Sequence, residues 1–289
     1  MSKASALSYG AATIINAIAT GKGAALGVDL WTKAEVEITD EAGIIEGEVV
    51  SDPTEKPTLI RETAKKVLEY FKVDDKFGVK AKTWSNIPIA RGLKSSSSAA
   101  NAIALATVAA LERNLDDLAV VNLGVDGALN AKVTITGAFD DACASYFGGI
   151  IITDNVKRRI IKRFTVSEEL AVLFHVPNMK AYTINTNVSR MKTVAPLVEI
   201  AYRHALRGKF WQALTLNGLI YSAALGYDSK IVIDALMAGA EAAGLCGKGP
   251  AVAFIVSNDK VDAIKDVLMG YDGEVLQARI NNEKAKVLG

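Results

Sequence analysis

Apolar and polar residues along this chain alternate with two different periods, and the switches between them outline its elements. Ala4 to Asn16, interrupted by Gly10, predicts a strand with a bend. The small residues from Gly21 to Gly27 predict a loop, and the runs Ala34 to Ile38 and Ile44 to Val50 predict a β-hairpin. Pro57 then precedes Leu59, Ile60, Ala64, Val67, Leu68 and Phe71, whose spacing is helical. Val79 to Trp84 reads as a strand. Ala99 to Leu111 is apolar almost all round and too short to span a bilayer, which predicts a buried helix. Asp116 and Asp117 open a further helix that runs toward Asn130.

The second half mixes the same periods in another arrangement. Ile150 to Thr153, Arg159 to Phe164 and Leu170 to Val176 read as strands. Helices follow over Val188 to Leu206, Phe210 to Leu225 and Lys230 to Ala243. A glycine-rich turn from Gly244 to Pro250 leads into a strand, Ala251 to Val256, and the chain closes with a helix from Lys260 to Leu268 and a strand from Glu274 to Ile280. Interleaved strands and helices without a fixed repeat predict an α/β or α+β fold. The charged turn at Asn155 to Arg158 marks a boundary between two domains, 1–155 and 156–289.

Composition narrows the function classes. With half of its 289 residues hydrophobic, the chain can bury a large core. Lys and Arg number 33 against 32 Asp and Glu, so there is no net field to draw in nucleic acid or an anionic membrane, and any anionic ligand must be caught locally. Cys143 and Cys246 lie far apart and have neither metal-ligand spacing nor the density of a disulfide scaffold, which predicts free thiols in a reducing cytoplasm. The N-terminal stretch lacks the apolar core of a signal peptide. His175, within an apolar strand, and His204, in a helix, read as structural, and Tyr202, Phe210, Trp211 and Tyr221 as packing surface.

The chemistry concentrates in Pro88 to Asn101. Here a strand meets the Ala-rich helix through Arg91, Gly92, Leu93, Lys94 and the hydroxyl run Ser95, Ser96, Ser97 and Ser98. Gly92 permits close backbone approach, the serines supply donors, and a helix start aims free N–H groups at an anion. Helix capping needs one serine, so a run of four points to a phosphate cradle. This is not a P-loop: Gly21-Lys22 continues to Gly23 and Gly247-Lys248 to Gly249, so the metal-binding hydroxyl after the lysine is missing. A dinucleotide fingerprint is also absent near the first strand.

Pro88 with GLKSSSSAA, then Asp140-Asp141-Ala142 followed by Gly148-Gly149, then Gly247-Lys-Gly-Pro250 resemble, in order, the signature segments of the GHMP kinases. The resemblance runs from Ser8 to about Val256, and GAATIINAIATGKGAALGVDL with TGAFDDACASYFGG looks most like the archaeal-type shikimate kinases. It implies an α+β, two-domain kinase of the cytoplasm with ATP and acceptor sites between the domains. ATP and Mg2+ would be the cofactors, and the 3-hydroxyl of shikimate the acceptor. Homoserine kinase is the alternative acceptor class, and a non-catalytic nucleotide-binding protein the alternative of another kind. The implied partners are small molecules, with no nucleic acid and no membrane.

Carried over position by position, the resemblance gives Arg91 to Ser98 to the ATP phosphates and Ser96 to magnesium. Lys94 stands where many relatives have a small residue, and either pairs with phosphate or faces solvent. Asp141 takes the place of the catalytic aspartate, with Asp140 the alternative; one of the two could instead cap a helix starting near Ala142. Gly247, Lys248 and Gly249 would line the acceptor site. Arg190 suits the acceptor carboxylate because its planar fork makes two parallel bonds, with Arg91 second; Thr186, Asn187 and Ser189 would meet ring hydroxyls or cap the helix that follows. Two positions depart from better-known relatives. Ala11 replaces the first-strand lysine that assists the aspartate. Asn130 stands where relatives carry a metal carboxylate, with Asp126 as its candidate replacement.

Overall fold

The alternating pattern at the N-terminus produces two long strands, β1 (Lys3–Ile15) and β2 (Lys22–Thr39), which pair antiparallel. The computed structural model describes residues 2–89, 91–178 and 188–289. Gly10 bends β1 without breaking it, since the register slips between Tyr9 and Gly10 while pairing continues on both sides. The loop expected at Gly21 to Gly27 is instead the first part of β2. Those glycines serve close approach rather than turning: a Cβ on Gly27 would lie 2.8 Å from the Asn281 carbonyl oxygen, and one on Gly23 would lie 2.3 Å from Asp140 Oδ2.

The predicted hairpin is also corrected. β3 (Ile45–Val49) does not pair with β2; it lies parallel to β4 (Gly78–Ser85), and β4 takes the antiparallel place beside β2. A parallel neighbour needs a crossover, and α1 (Thr58–Phe71) supplies it, packing Pro57 and Ile60 over Gly47. β5 (Ile150–Asp154) pairs with the start of β2, β6 (Arg159–Phe164) with β5, and β11 (Lys286–Leu288) with β1. These complete a seven-stranded sheet, so β6 and β11 come from beyond residue 155 yet belong to the N-terminal sheet.

The second sheet has four antiparallel strands in the order β10 (Glu274–Arg279), β7 (Leu170–Val176), β9 (Val252–Ser257) and β8 (Ala242–Leu245). The helix expected over Lys230 to Ala243 stops at Met237 as α8 (Lys230–Met237), and Ala242 and Ala243 enter β8. Gly244 explains this locally, because it lets β8 lie against the backbone of α7 (Phe210–Leu225), where a Cβ on Gly218 would stand 2.3 Å from the Gly244 Cα.

Among the described residues the remaining helices are α2 (Ser95–Ala110), α3 (Asp117–Asn130), α4 (Phe139–Phe147), α5 (Val188–Thr193), α6 (Ala195–Leu206) and α9 (Val261–Leu268). α2 packs against β1, β2, α1 and α3 and is buried nearly all round, as its composition predicts. A continuous apolar core joins Ile14, Ile15 and Leu26 of the first sheet to Val172, Phe174 and Phe254 of the second. No helix among the described residues is long and apolar enough to cross a membrane.

Candidate active site

The serines at the start of α2 do not cap it. Lys94 occupies the N-cap position in the left-handed region at φ 63°, and no side chain closes the helix start. A capping role therefore leaves the hydroxyl run unexplained, whereas an anion at the helix N-terminus accounts for it. Ser95, Ser96 and Ser97 line a cavity of about 460 Å³ together with Gly92 and Lys94. Ser98 turns away and its hydroxyl donates to the Ser8 carbonyl oxygen at 3.3 Å. Leu93 is buried as an apolar anchor, and the Arg91 guanidinium donates to the Pro177 carbonyl oxygen. Neither Arg91 nor Leu93 belongs to the cavity wall, to which this loop contributes Gly92, Lys94 and three of its serines.

α4 begins at Phe139, after Ala138 in the left-handed region, so Asp140 and Asp141 both fall in its first turn and neither caps it. Successive helical residues project about 100° apart, and these two side chains reach different partners. Lys94 Nζ lies 2.8 Å from Asp141 Oδ2, in a pair that is nearly fully buried. Asp140 Oδ1 accepts a hydrogen bond of 2.7 Å from Asn155 Nδ2. Both aspartates line the cavity.

The third wall is the turn between β8 and β9. Gly247 and Gly249 adopt φ 64° and 75°, which favours glycine, and Lys94 Nζ reaches into the space beside the first, 2.6 Å from where a Cβ would stand. Gly92 in turn fits against this loop, since a Cβ on it would come within 2.9 Å of the Cys246 carbonyl oxygen. Asn16 ties the turn to the end of β1, donating from Nδ2 to the Gly247 carbonyl oxygen at 2.8 Å. Three segments distant in sequence thus converge on one buried ion pair.

Comparison with known proteins agrees with this geometry. Residues 58–149 match the model of the GHMP kinases N-terminal domain. The chain is 44% identical to the shikimate kinase of Methanosarcina mazei over 97% of its own length and 95% of that relative. It is also 44% identical to the shikimate kinase of Methanobrevibacter smithii, over 99% of this chain and 100% of the relative. This chain belongs to the GHMP kinases. The solved mevalonate kinase of Methanococcus jannaschii shares the fold at TM-score 0.76 and 17% identity, with 96% of this chain and 98% of that one covered.

In this GHMP kinase the electrostatics of the cavity are uneven. Burial pushes the Asp140 carboxyl up to about 7, reinforced by the neighbouring Asp141 charge and opposed by Lys94 and the Asn155 hydrogen bond. Burial works against the Lys94 ammonium, but the Asp141 carboxylate, with smaller help from Cys246 and Asp140, outweighs it and moves Lys94 upward. Lys248, on the cavity wall, is pushed down to about 8 by burial first and then by the nearby Lys94 charge.

Several predicted site residues are not brought to the cavity. Asp126 pairs with Arg158 at 2.7 Å, and Asn130 is exposed at the end of α3 with Glu62 as its partner at 3.4 Å. α3 directs both toward other elements, and neither belongs to the cavity wall formed by the described residues. Arg190 lies exposed on α5, outside the cavity wall formed by the described residues. Thr186 and Asn187 lie outside the described residues. Other wall residues escaped the sequence reading, namely Asn16 and the segment from Ala131 to Thr136 that precedes α4. Asn16 was visible only as a polar residue ending an apolar strand, a signal weak by itself.

Proposed function

We propose that this chain is an ATP-dependent shikimate kinase, transferring the γ-phosphoryl group of ATP to the 3-hydroxyl of shikimate. The observation that carries this reading is the buried Lys94–Asp141 pair, at 2.8 Å, set between an uncapped helix start and a second glycine loop in one cavity. The near full-length similarity to shikimate kinases supplies the acceptor. Phosphoryl transfer asks a protein mainly for positioning and charge compensation, and those are what the cavity offers. ATP as donor assigns the reaction to the cytoplasm.

Gly92 and Ser95 to Ser97 hold the phosphates, with the α2 dipole aimed at them. Among the described residues no group of three carboxylate, histidine or cysteine side chains could hold a metal by itself. The donor set still fits magnesium arriving with the nucleotide, because that ion keeps its waters and takes few protein ligands beside phosphates. The Ser96 hydroxyl is the contact we assign to it. Bound there, magnesium would neutralise charge on the phosphate oxygens.

The acceptor hydroxyl oxygen attacks the γ-phosphorus, forming the new P–O bond while the bond to the bridging oxygen breaks and ADP leaves with the electron pair. The hydroxyl proton passes to Asp141 Oδ1, a buried oxygen with no hydrogen-bond partner. Lys94 holds the other oxygen and fixes the carboxylate's direction. Lys248, rather than the exposed Arg190, is the cation we assign to the acceptor's carboxylate.

Purified protein supplied with Mg-ATP and a panel of alcohols tests the reading through ADP release and mass spectrometry of the product. Turnover with shikimate is expected. Turnover with homoserine and none with shikimate would reassign the acceptor, and nucleotide binding without ADP release for any alcohol would make the chain a binding protein.

A further inference from the structure

Asp140 is a buried acid that the transfer step above leaves unused. It sits 3% exposed on the wall of the catalytic cavity, and burying a carboxylate is costly, as its upward shift records. Its surroundings fix it in one orientation. The Asn155 amide donates to Oδ1 at 2.7 Å, and the Thr153 hydroxyl in turn donates to Asn155 Oδ1 at 2.6 Å. Beneath it lies Gly23 of β2, where a Cβ would stand 2.3 Å from Oδ2 and 2.5 Å from Cγ. Only an unsubstituted backbone lets the carboxylate lie there.

The bracing also sets its direction. Asp141 is tied to Lys94 and so to the phosphate loop, whereas Asp140 is tied to the β2 and β5 side, where Asn16, Ala17 and Ile18 continue the cavity wall. Two adjacent carboxylates of one cavity are therefore braced by different elements. A carboxylate held by the Asn155 amide and the Asp141 backbone N–H still has lone pairs to spare and is acceptor-only when ionised, which suits it to receive O–H donors from a polyol.

We propose that Asp140 reads the acceptor: it receives a hydrogen bond from a hydroxyl neighbouring the one that is phosphorylated, and so selects acceptors that carry a vicinal diol. Asn155 and Gly23 are its positioning residues. This rests on the kinase reading above and sharpens it, because shikimate has such a neighbouring hydroxyl and homoserine has none.

The test pairs Asp140→Asn with an acceptor lacking the neighbouring hydroxyl, measuring steady-state constants for acceptor and ATP separately. A hydrogen bond to a charged group is worth enough that the acceptor KM of Asp140→Asn should rise about 10- to 100-fold, with the ATP KM little changed. The deoxy acceptor should suffer a similar loss with the wild-type protein and no further loss with the variant. Gly23→Ala, which keeps the carboxylate but displaces it, should reproduce the acceptor effect and serves if the first variant is poorly folded. Equal penalties for the deoxy acceptor in wild type and variant would overturn the proposal, as would a fall in kcat at unchanged acceptor KM. If another polyol replaces shikimate as the acceptor in the panel, the same cycle applies to it; if the alcohol that turns over has no neighbouring hydroxyl, the role of Asp140 is refuted.

Discussion

Replacing Lys94 with Met separates the stability of the site from its chemistry. The Asp141 residue left behind is 4% exposed, its Oδ1 already has no partner, and its Oδ2 loses the ammonium at 2.8 Å. Removing one member of a buried pair strands the other charge, which typically costs about 3–5 kcal/mol. For a chain of this size that corresponds to a fall in Tm of roughly 6–20 °C. Lys94 also holds down the neighbouring Asp140 carboxyl, already pushed up to about 7, so without it that carboxyl rises further; the folded variant then keeps a proton that the unfolded chain releases, and its deficit grows as pH rises. Thermal melts at about pH 6 and about pH 8 therefore should show the larger loss at the higher pH. The double variant Lys94→Met with Asp141→Asn removes both charges, and should recover most of the lost stability while ADP release stays absent. A single variant that melts with the wild type at both pH values, or a double variant no more stable than the single one, would refute the buried pair as described.

Other substitutions probe the remaining parts of the site. Asp141→Asn should lower kcat by about 10²- to 10⁴-fold while nucleotide still binds in titration calorimetry, and unchanged turnover would remove its role as base. Ser96→Ala should weaken Mg-ATP binding more than acceptor binding; the reverse order would contradict its assignment to magnesium. Gly92→Ala forces a Cβ to 2.9 Å from the Cys246 carbonyl oxygen at φ 87°, and should destabilise the protein by about 1–3 kcal/mol in denaturant titration. Because Lys248 is pushed down to about 8, it loses its charge as pH rises through that value, so kcat/KM for the acceptor should fall on the alkaline side. Lys248→Met should lack that limb, and a limb that persists would belong to another group.

The parts of this protein legible in its sequence are those whose signal is local. The serine run, the Asp140-Asp141 pair and the Gly247 turn each announce themselves through a few adjacent residues, α1 through its spacing, α2 through its unbroken apolar run and α3 through the Asp116-Asp117 pair that opens it. The misreadings share one cause: a residue's local meaning depended on a partner far along the chain. Gly23 and Gly27 look like loop glycines until Asp140 and Asn281 are seen against them. Ala242 and Ala243 are good helix formers, yet pairing with β9 and the contact of Gly244 with α7 make them a strand. β3 was adjacent in sequence to β2 and became the neighbour of β4, because strand pairing is settled by the helix that crosses over.

Lys94 shows the same limit at the site, and also its physical reason. The sequence places Ala11 where better-known relatives have a lysine beside the aspartate, which suggests an aspartate without a cation. Ala11 is 1% exposed and packs into an apolar cluster with Ala25, Ala142, Cys143 and Ala144, under α4. A lysine there would have to desolvate its ammonium through that cluster. The same charge arrives from the opposite side, out of the phosphate loop, through the space that Gly247 leaves open. Because Lys94 is also the N-cap residue of α2, this ammonium ties the Asp141 carboxylate directly to the start of that helix, a link that a lysine on β1 could not make.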